Sequence, residues 1–321
     1  MDRAPCLSLL LLLFLAVAPA GWLRAQEDDD FGVLVMAHGG SEAWNEAVLD
    51  AVAPLREGQP LEVAFGMADP QTLQEAIRRL EARGVRRIAV VRLFVSGSSF
   101  LDRTEKILGL RPGAPAAMPH GEGPVHEDAH HGHEGLPDGA AEGGGGASAH
   151  SMALWRVRTV SRFALSEKGL AEAPEMGVIL AQRVLELSER PEVEDVLILA
   201  HGPGDDEENE RWLENLRQRT SCLRHYAPFR RIEVLTLRED WPEKRRAAEE
   251  RIRAFVERAR DEDGWALVIP FRVHGFGPYA EVLEGLEYTA DRRGLLPHPL
   301  LTEWIADRIR ELREGEFRPP V

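Results

Sequence analysis

FGVLVMAHGG at residues 31–40 returns as VEDVLILAHG at residues 193–202. Each copy is a short, mainly apolar run that ends in Ala-His-Gly, the pattern of a strand buried in a parallel sheet and closed by a glycine turn. The same order of elements follows both. After the first copy, Trp44, Val48, Ala51 and Leu55 mark one face of a helix. Residues 60–65 read as a strand, Leu73, Ile77 and Leu80 as a helix stopped by Gly84, and residues 85–95 as a long β-rich run. After the second copy come a helix through Trp212 and Leu216, a strand over 232–237, a helix through Ala248, Ile252, Phe255 and Val256, and a strand over 265–273. Asn45-Glu46 answers Asn209-Glu210 at nearly the same offset, so the chain reads as an internal duplication.

Such β-α-β-α-β order predicts an α/β protein of two similar lobes, each a parallel sheet flanked by helices and binding ligands at its strand C-termini. The first lobe spans 28–190 and the second 193–317. Residues 155–163 resume strand character after an interruption, and a helix over 176–187 is expected to close the first lobe. A last helix follows Pro299, with Leu301, Ile305, Ile309 and Leu312 on one face. The interruption, 113–150, holds ten glycines and six histidines, His120, His126, His130, His131, His133 and His150. It reads as a flexible insertion whose imidazoles can fold around Zn²⁺, Ni²⁺ or Co²⁺, or else as a linker with incidental histidines.

Composition narrows the function. The chain has 321 residues and a formal net charge of -15, which argues against nucleic acid and favours cations. Arg3, the apolar run 7–18 and Ala18-Pro19-Ala20 read as a signal peptide over about residues 1–25, giving an exported, periplasmic protein that meets a membrane only before cleavage. Cys222 is then the lone mature cysteine, which excludes an Fe–S cluster within one chain. No phosphate-binding glycine loop, Gly-x-Ser-x-Gly elbow or His-Glu-x-x-His helix occurs, so nucleotide use, serine hydrolysis and zincin chemistry lack support.

His38 and His201 each stand where a first strand ends, and a neutral imidazole there can bind a metal or accept a proton. Hydrogen bonding to nearby backbone is the plainer role. His274, in FRVHGFGPY, is expected at the same edge as His201. Glu281, Glu284 and Glu287 follow at helical spacing; a carboxylate such as Glu281 can complete a metal site, while a solvated helix face is the alternative. Glu46 and Glu210 stand in the same position. His298, between two prolines, caps the site or shapes its loop, and Arg92 and Arg272 either meet an anionic ligand or lie on the surface.

Strand-Ala-His-Gly, Asn-Glu on the first helix, GVRRIAVVRLFVSG at 84–97 and Gly-Leu-Leu-Pro-His-Pro at 294–299, in that order, resemble the sirohydrochlorin cobaltochelatase family of class II chelatases. The resemblance covers residues 31–110 and 153–315. It implies two lobes facing across a cleft, with a tetrapyrrole between them and a divalent metal, Co²⁺, Fe²⁺ or Ni²⁺, inserted as substrate without ATP. His38 and His201 match the strand-end histidine of that family. Its second histidine is replaced by Phe100 in the first lobe and Pro278 in the second, which offers His274 four residues earlier. The expected machinery is therefore His201 and His274 on the metal, His38 assisting and Glu281 beside them. A periplasmic metal or tetrapyrrole carrier without turnover is the alternative, and a metal buffer built on the histidine-rich insertion alone is a third.

Overall fold

The computed structural model describes residues 30–116 and 154–321. The expected signal peptide and all six histidines of the insertion lie outside the described residues.

Two four-stranded parallel sheets repeat one topology. β1 (Phe31–Ala37), β2 (Leu61–Phe65), β3 (Arg87–Leu93) and β4 (Arg162–Leu165) are ordered β2-β1-β3-β4. β5 (Glu194–Ala200), β6 (Arg231–Thr236), β7 (Trp265–Phe271) and β8 (Thr289–Ala290) are ordered β6-β5-β7-β8. The registers correspond: Ala37 pairs with Phe65 and Leu93, as Ala200 pairs with Thr236 and Phe271. Every residue of the central strands β1 and β5 is buried, as their apolar runs require. Glu194 and Asp195 are the exceptions in kind: the Asp195 carboxylate is paired by Arg230 and Arg231, and that of Glu194 accepts from the Ser188 hydroxyl and the Glu189 and Arg190 amides.

The helices follow the apolar periodicity. α1 (Glu42–Val52), α2 (Pro70–Ala82) and α3 (Leu101–Ile107) accompany the first sheet, and α4 (Pro174–Leu187) follows it. α5 (Asp206–Thr220), the short α6 (Leu223–Tyr226), α7 (Pro242–Asp261) and the short α8 (Tyr279–Val282) accompany the second, and α9 (Pro299–Arg313) comes last. Ser41, Asp69 and Asp205 cap α1, α2 and α5 by accepting hydrogen bonds from first-turn amides.

Two expectations are corrected. Residues 155–161 are not a strand: apart from an isolated bridge of Arg156 to Ala116, their backbone is met by single hydrogen bonds and by side chains of α2 instead of a ladder. Gln74 both donates to the Arg158 carbonyl, at 2.9 Å, and accepts from the Arg158 amide, at 2.7 Å. Glu81 accepts from the Val160 amide and from the Thr159 and Ser161 hydroxyls.

The second correction concerns the closing helices, which are exchanged. α4 does not close the first lobe; it packs on β7 and α5 of the second, with Arg183 donating to the Gly294 and Pro297 carbonyls. α9 returns to the first lobe and packs on α1, β3 and β4, where Thr302 donates to the Ala51 carbonyl. Beyond α9, Arg318 and Phe163 exchange backbone hydrogen bonds of 2.9 Å, adding an antiparallel bridge to the first sheet. One core consequently runs through both lobes, from Val35 and Val91 through Ile179 and Trp304 to Ile198 and Ile269. α9 alone buries Leu301, Trp304, Ile305, Ile309 and Leu312. At about 1.5–3 kcal/mol per side chain this is on the order of 10 kcal/mol, as much as a whole domain's net stability.

Candidate metal centre

β1 and β5 deliver His38 and His201 to the C-terminal edges of their sheets. The turn that follows needs a left-handed backbone, supplied by Gly39 (φ 81°) and Gly202 (φ 79°). Space is short as well: a Cβ on Gly202 would lie 2.5 Å from the Thr236 Cβ. The repeated asparagines belong to these turns. Asn45 accepts from the Gly40 amide at 3.0 Å, and Asn209 accepts from the Thr236 hydroxyl at 2.8 Å. Glu46 and Glu210 are exposed, the latter paired with Arg217.

Both histidines turn Nδ1 onto the carbonyl of the next glycine, at 2.9 Å for His38 and 2.8 Å for His201. A carbonyl accepts only, so Nδ1 carries the proton and Nε2 the lone pair in the neutral ring. His201 Nε2 lies 3.1 Å from Asp240 Oδ2 and 3.8 Å from Glu239 Oε2. Metal–ligand bonds of about 2.0–2.1 Å put two donor atoms about 2.9 Å apart at a right angle and about 3.4 Å apart at the tetrahedral angle. The His201–Asp240 spacing falls between these. Glu239 is held from behind by Arg272, whose guanidinium also lies 5.6 Å from the Tyr279 ring centroid.

The electrostatics tie the lobes together. Burial, the largest influence on His201, favours its neutral ring; the Asp240 hydrogen bond, the Glu239 charge and the Gly202 carbonyl outweigh it and raise the pKa above 6.5. Asp240 is lowered chiefly by its bond to His201, against its burial, with further help from the charges of His201, His38 and Arg272. His38 of one lobe therefore acts on the carboxylate of the other.

The remaining expectations fare differently. His274 lies past the end of β7 rather than on the strand. β7 ends at Phe271, and the chain beyond it is drawn toward residues 293–296 by hydrogen bonds from the Leu295 and Leu296 amides to the Arg272 and Val273 carbonyls, and from the Gly275 amide to Arg293. His274 is left half-buried, with burial lowering its pKa. Glu281 is exposed on the four-residue helix α8, and Glu287 pairs with Arg260, so that spacing is a surface pattern. His298 shapes its loop, accepting from the Leu300 amide at Nδ1 and meeting Gln182 at Nε2. Arg92 is buried among the carbonyls of Gly97, Ser99 and Ser166. Phe100, in the slot of the expected histidine, packs against Phe94.

Glu239 and Asp240 were not among the candidate residues. They occupy the turn after β6, and the duplication itself carries the signal. The Gly66 and Leu237 amides bond equivalently to the Ala37 and Ala200 carbonyls, so Ala68-Asp69 stands in the first lobe where Glu239-Asp240 stands in the second. Asp69 spends its carboxylate on capping α2. The acidic half-site is thus confined to the second lobe. Among the described residues no group of three or more His, Cys, Asp or Glu side chains is arranged to hold a metal ion, so the geometry offers the His201–Asp240 pair with Glu239 beside it.

The CbiX family model matches residues 32–117, the first lobe as far as α3 and the residues just beyond it. No curated protein matches the chain. Among solved structures, SirB from Bacillus subtilis with Fe³⁺ aligns with a TM-score of 0.57 at 12% identity, over 89% of this chain and 96% of that one. The sirohydrochlorin chelatase SirB from Bacillus subtilis subspecies spizizenii in complex with cobalt aligns with a TM-score of 0.53 at 12% identity, again over 89% and 96%. The likeness to these structures is one of fold, and it extends over both lobes.

Proposed function

We propose that this protein inserts a divalent metal, Co²⁺ or else Fe²⁺ or Ni²⁺, into sirohydrochlorin or a related tetrapyrrole held between the lobes, without a nucleotide. The observation that carries this reading is His201 Nε2 set 3.1 Å from Asp240 Oδ2 at the strand edge that ends in Ala-His-Gly. A chelatase site must hold its metal loosely enough to release it and must take up the two pyrrole protons that leave as the metal enters. An open set of one imidazole and one or two carboxylates suits the first need. The imidazole of His38 suits the second, since an unprotonated ring accepts a proton. Arg272 keeps Glu239 directed along the site.

The N-terminal sequence supports export, so the reaction is placed in the periplasm. The six histidines of the insertion supply metal to the cleft in this reading. Removing residues 113–150 is expected to lower the number of Co²⁺ ions bound, by equilibrium dialysis, while leaving the His201-dependent one.

The test is an anaerobic absorbance assay with sirohydrochlorin and Co²⁺. Spectral change faster than the uncatalysed rate, lost in His201→Ala and reduced in Asp240→Asn, is the expected result. A carrier without turnover is the second reading, favoured by Phe100. Tetrapyrrole bound without acceleration would select it.

A further inference from the structure

Trp241 follows Asp240 and is the N-cap residue of α7. Its indole is 37% exposed beside the candidate metal site, yet it is firmly seated. It lies on Gly204, where an added Cβ would come within 2.2 Å of the indole. The Gly204 carbonyl in turn accepts from Arg238 and Lys244, both at 2.7 Å. Both cations also bind Asp206, and Arg238 donates to the Pro203 carbonyl as well. An apolar plate left open to water on a braced loop is a preformed binding surface.

The orientation indicates what it binds. The His201 and Trp241 rings have centroids 6.2 Å apart and planes at 86°. A metal on Nε2 lies in the imidazole plane, and a macrocycle receiving that metal through its face lies across the nitrogen–metal axis, hence perpendicular to the imidazole. The indole meets the same condition and can lie parallel to such a macrocycle. We infer that Trp241 is the stacking wall for one face of a planar tetrapyrrole, and that Gly204 is a glycine so that the indole can lie flat. This inference rests on the metal-insertion reading and assigns Trp241 to the macrocycle rather than to the metal.

The test uses the full chain and two probes, metal-free uroporphyrin as a planar polycarboxylate macrocycle and Co²⁺ alone. Uroporphyrin binding is followed by its Soret absorbance and Co²⁺ binding by calorimetry. Trp241→Ala is expected to weaken uroporphyrin about five- to tenfold and to leave Co²⁺ affinity unchanged, with Trp241→Phe recovering most of the loss. Gly204→Ala displaces the indole without removing it and should copy Trp241→Ala. Equal uroporphyrin binding by the protein and Trp241→Ala would overturn the wall and leave metal insertion standing. A parallel loss of Co²⁺ affinity would instead make Trp241 a support for His201, also overturning it. No uroporphyrin binding by the unaltered protein would overturn the wall and the metal-insertion reading together.

Discussion

His201 holds one proton on Nδ1 for the Gly202 carbonyl, and in the metal-free site a second on Nε2 is favoured by Asp240. Its folded pKa is raised above the ordinary 6.5. The charged ring therefore stabilises the fold fully below that ordinary value, and the contribution fades as pH rises through the folded pKa. Metal binding runs the opposite way, because the ion must replace the Nε2 proton, so affinity is expected to rise through the same interval. NMR titration of the His201 ring should give a midpoint above 6.5, shifted down in Asp240→Asn. An unchanged midpoint in that variant would remove the pairing. Asp240→Asn should also weaken Co²⁺ about tenfold or more by calorimetry, the usual scale for losing a carboxylate at a metal site.

At the scale of the element, the two Ala-His-Gly turns are the same device under different pressure. A Cβ on Gly202 would lie 2.5 Å from the Thr236 Cβ, whereas one on Gly39 would lie 3.2 Å from the Phe65 Cβ. Both substitutions also meet the left-handed backbone, so Gly39→Ala should cost about 1–2 kcal/mol and Gly202→Ala more, read from denaturant midpoints. Equal costs would show that the Thr236 contact relaxes freely. These turns were legible in sequence because a buried strand, a histidine and a glycine recur together, and the same recurrence revealed both sheets. The acidic turn Arg238-Glu239-Asp240-Trp241 was not legible, because its first-half counterpart keeps only Asp69, which caps a helix, and the turn reads as an ordinary polar one. His274 marks the limit of such a reading: strand position predicts which edge a residue reaches, but the hydrogen bonds to residues 293–296 decide how the chain runs after β7.

For the whole molecule, the exchange of α4 and α9 makes the lobes one folding unit. Trp304 is 2% exposed on a helix of the second half, but it packs in the core shared with the first sheet. Trp304→Ala is expected to cost about 3–5 kcal/mol. It should speed hydrogen exchange in β1 and β3 as well as in α9. Slower-exchanging, unaffected β1 and β3 would show that the first sheet stands without it. The exchange was invisible to periodicity, which shows that a helix has an apolar face but not which sheet covers it.

That shared layer also governs how the cleft behaves. Two lobes joined by a bare linker can swing apart and close like a hinged jaw. Here the helix that would swing with one lobe is packed into the other, so rotation about the connection would tear the core that α4 and α9 complete. The placing of the two strand edges that carry His38 and His201 is then set once, by the folding of the core that both sheets share.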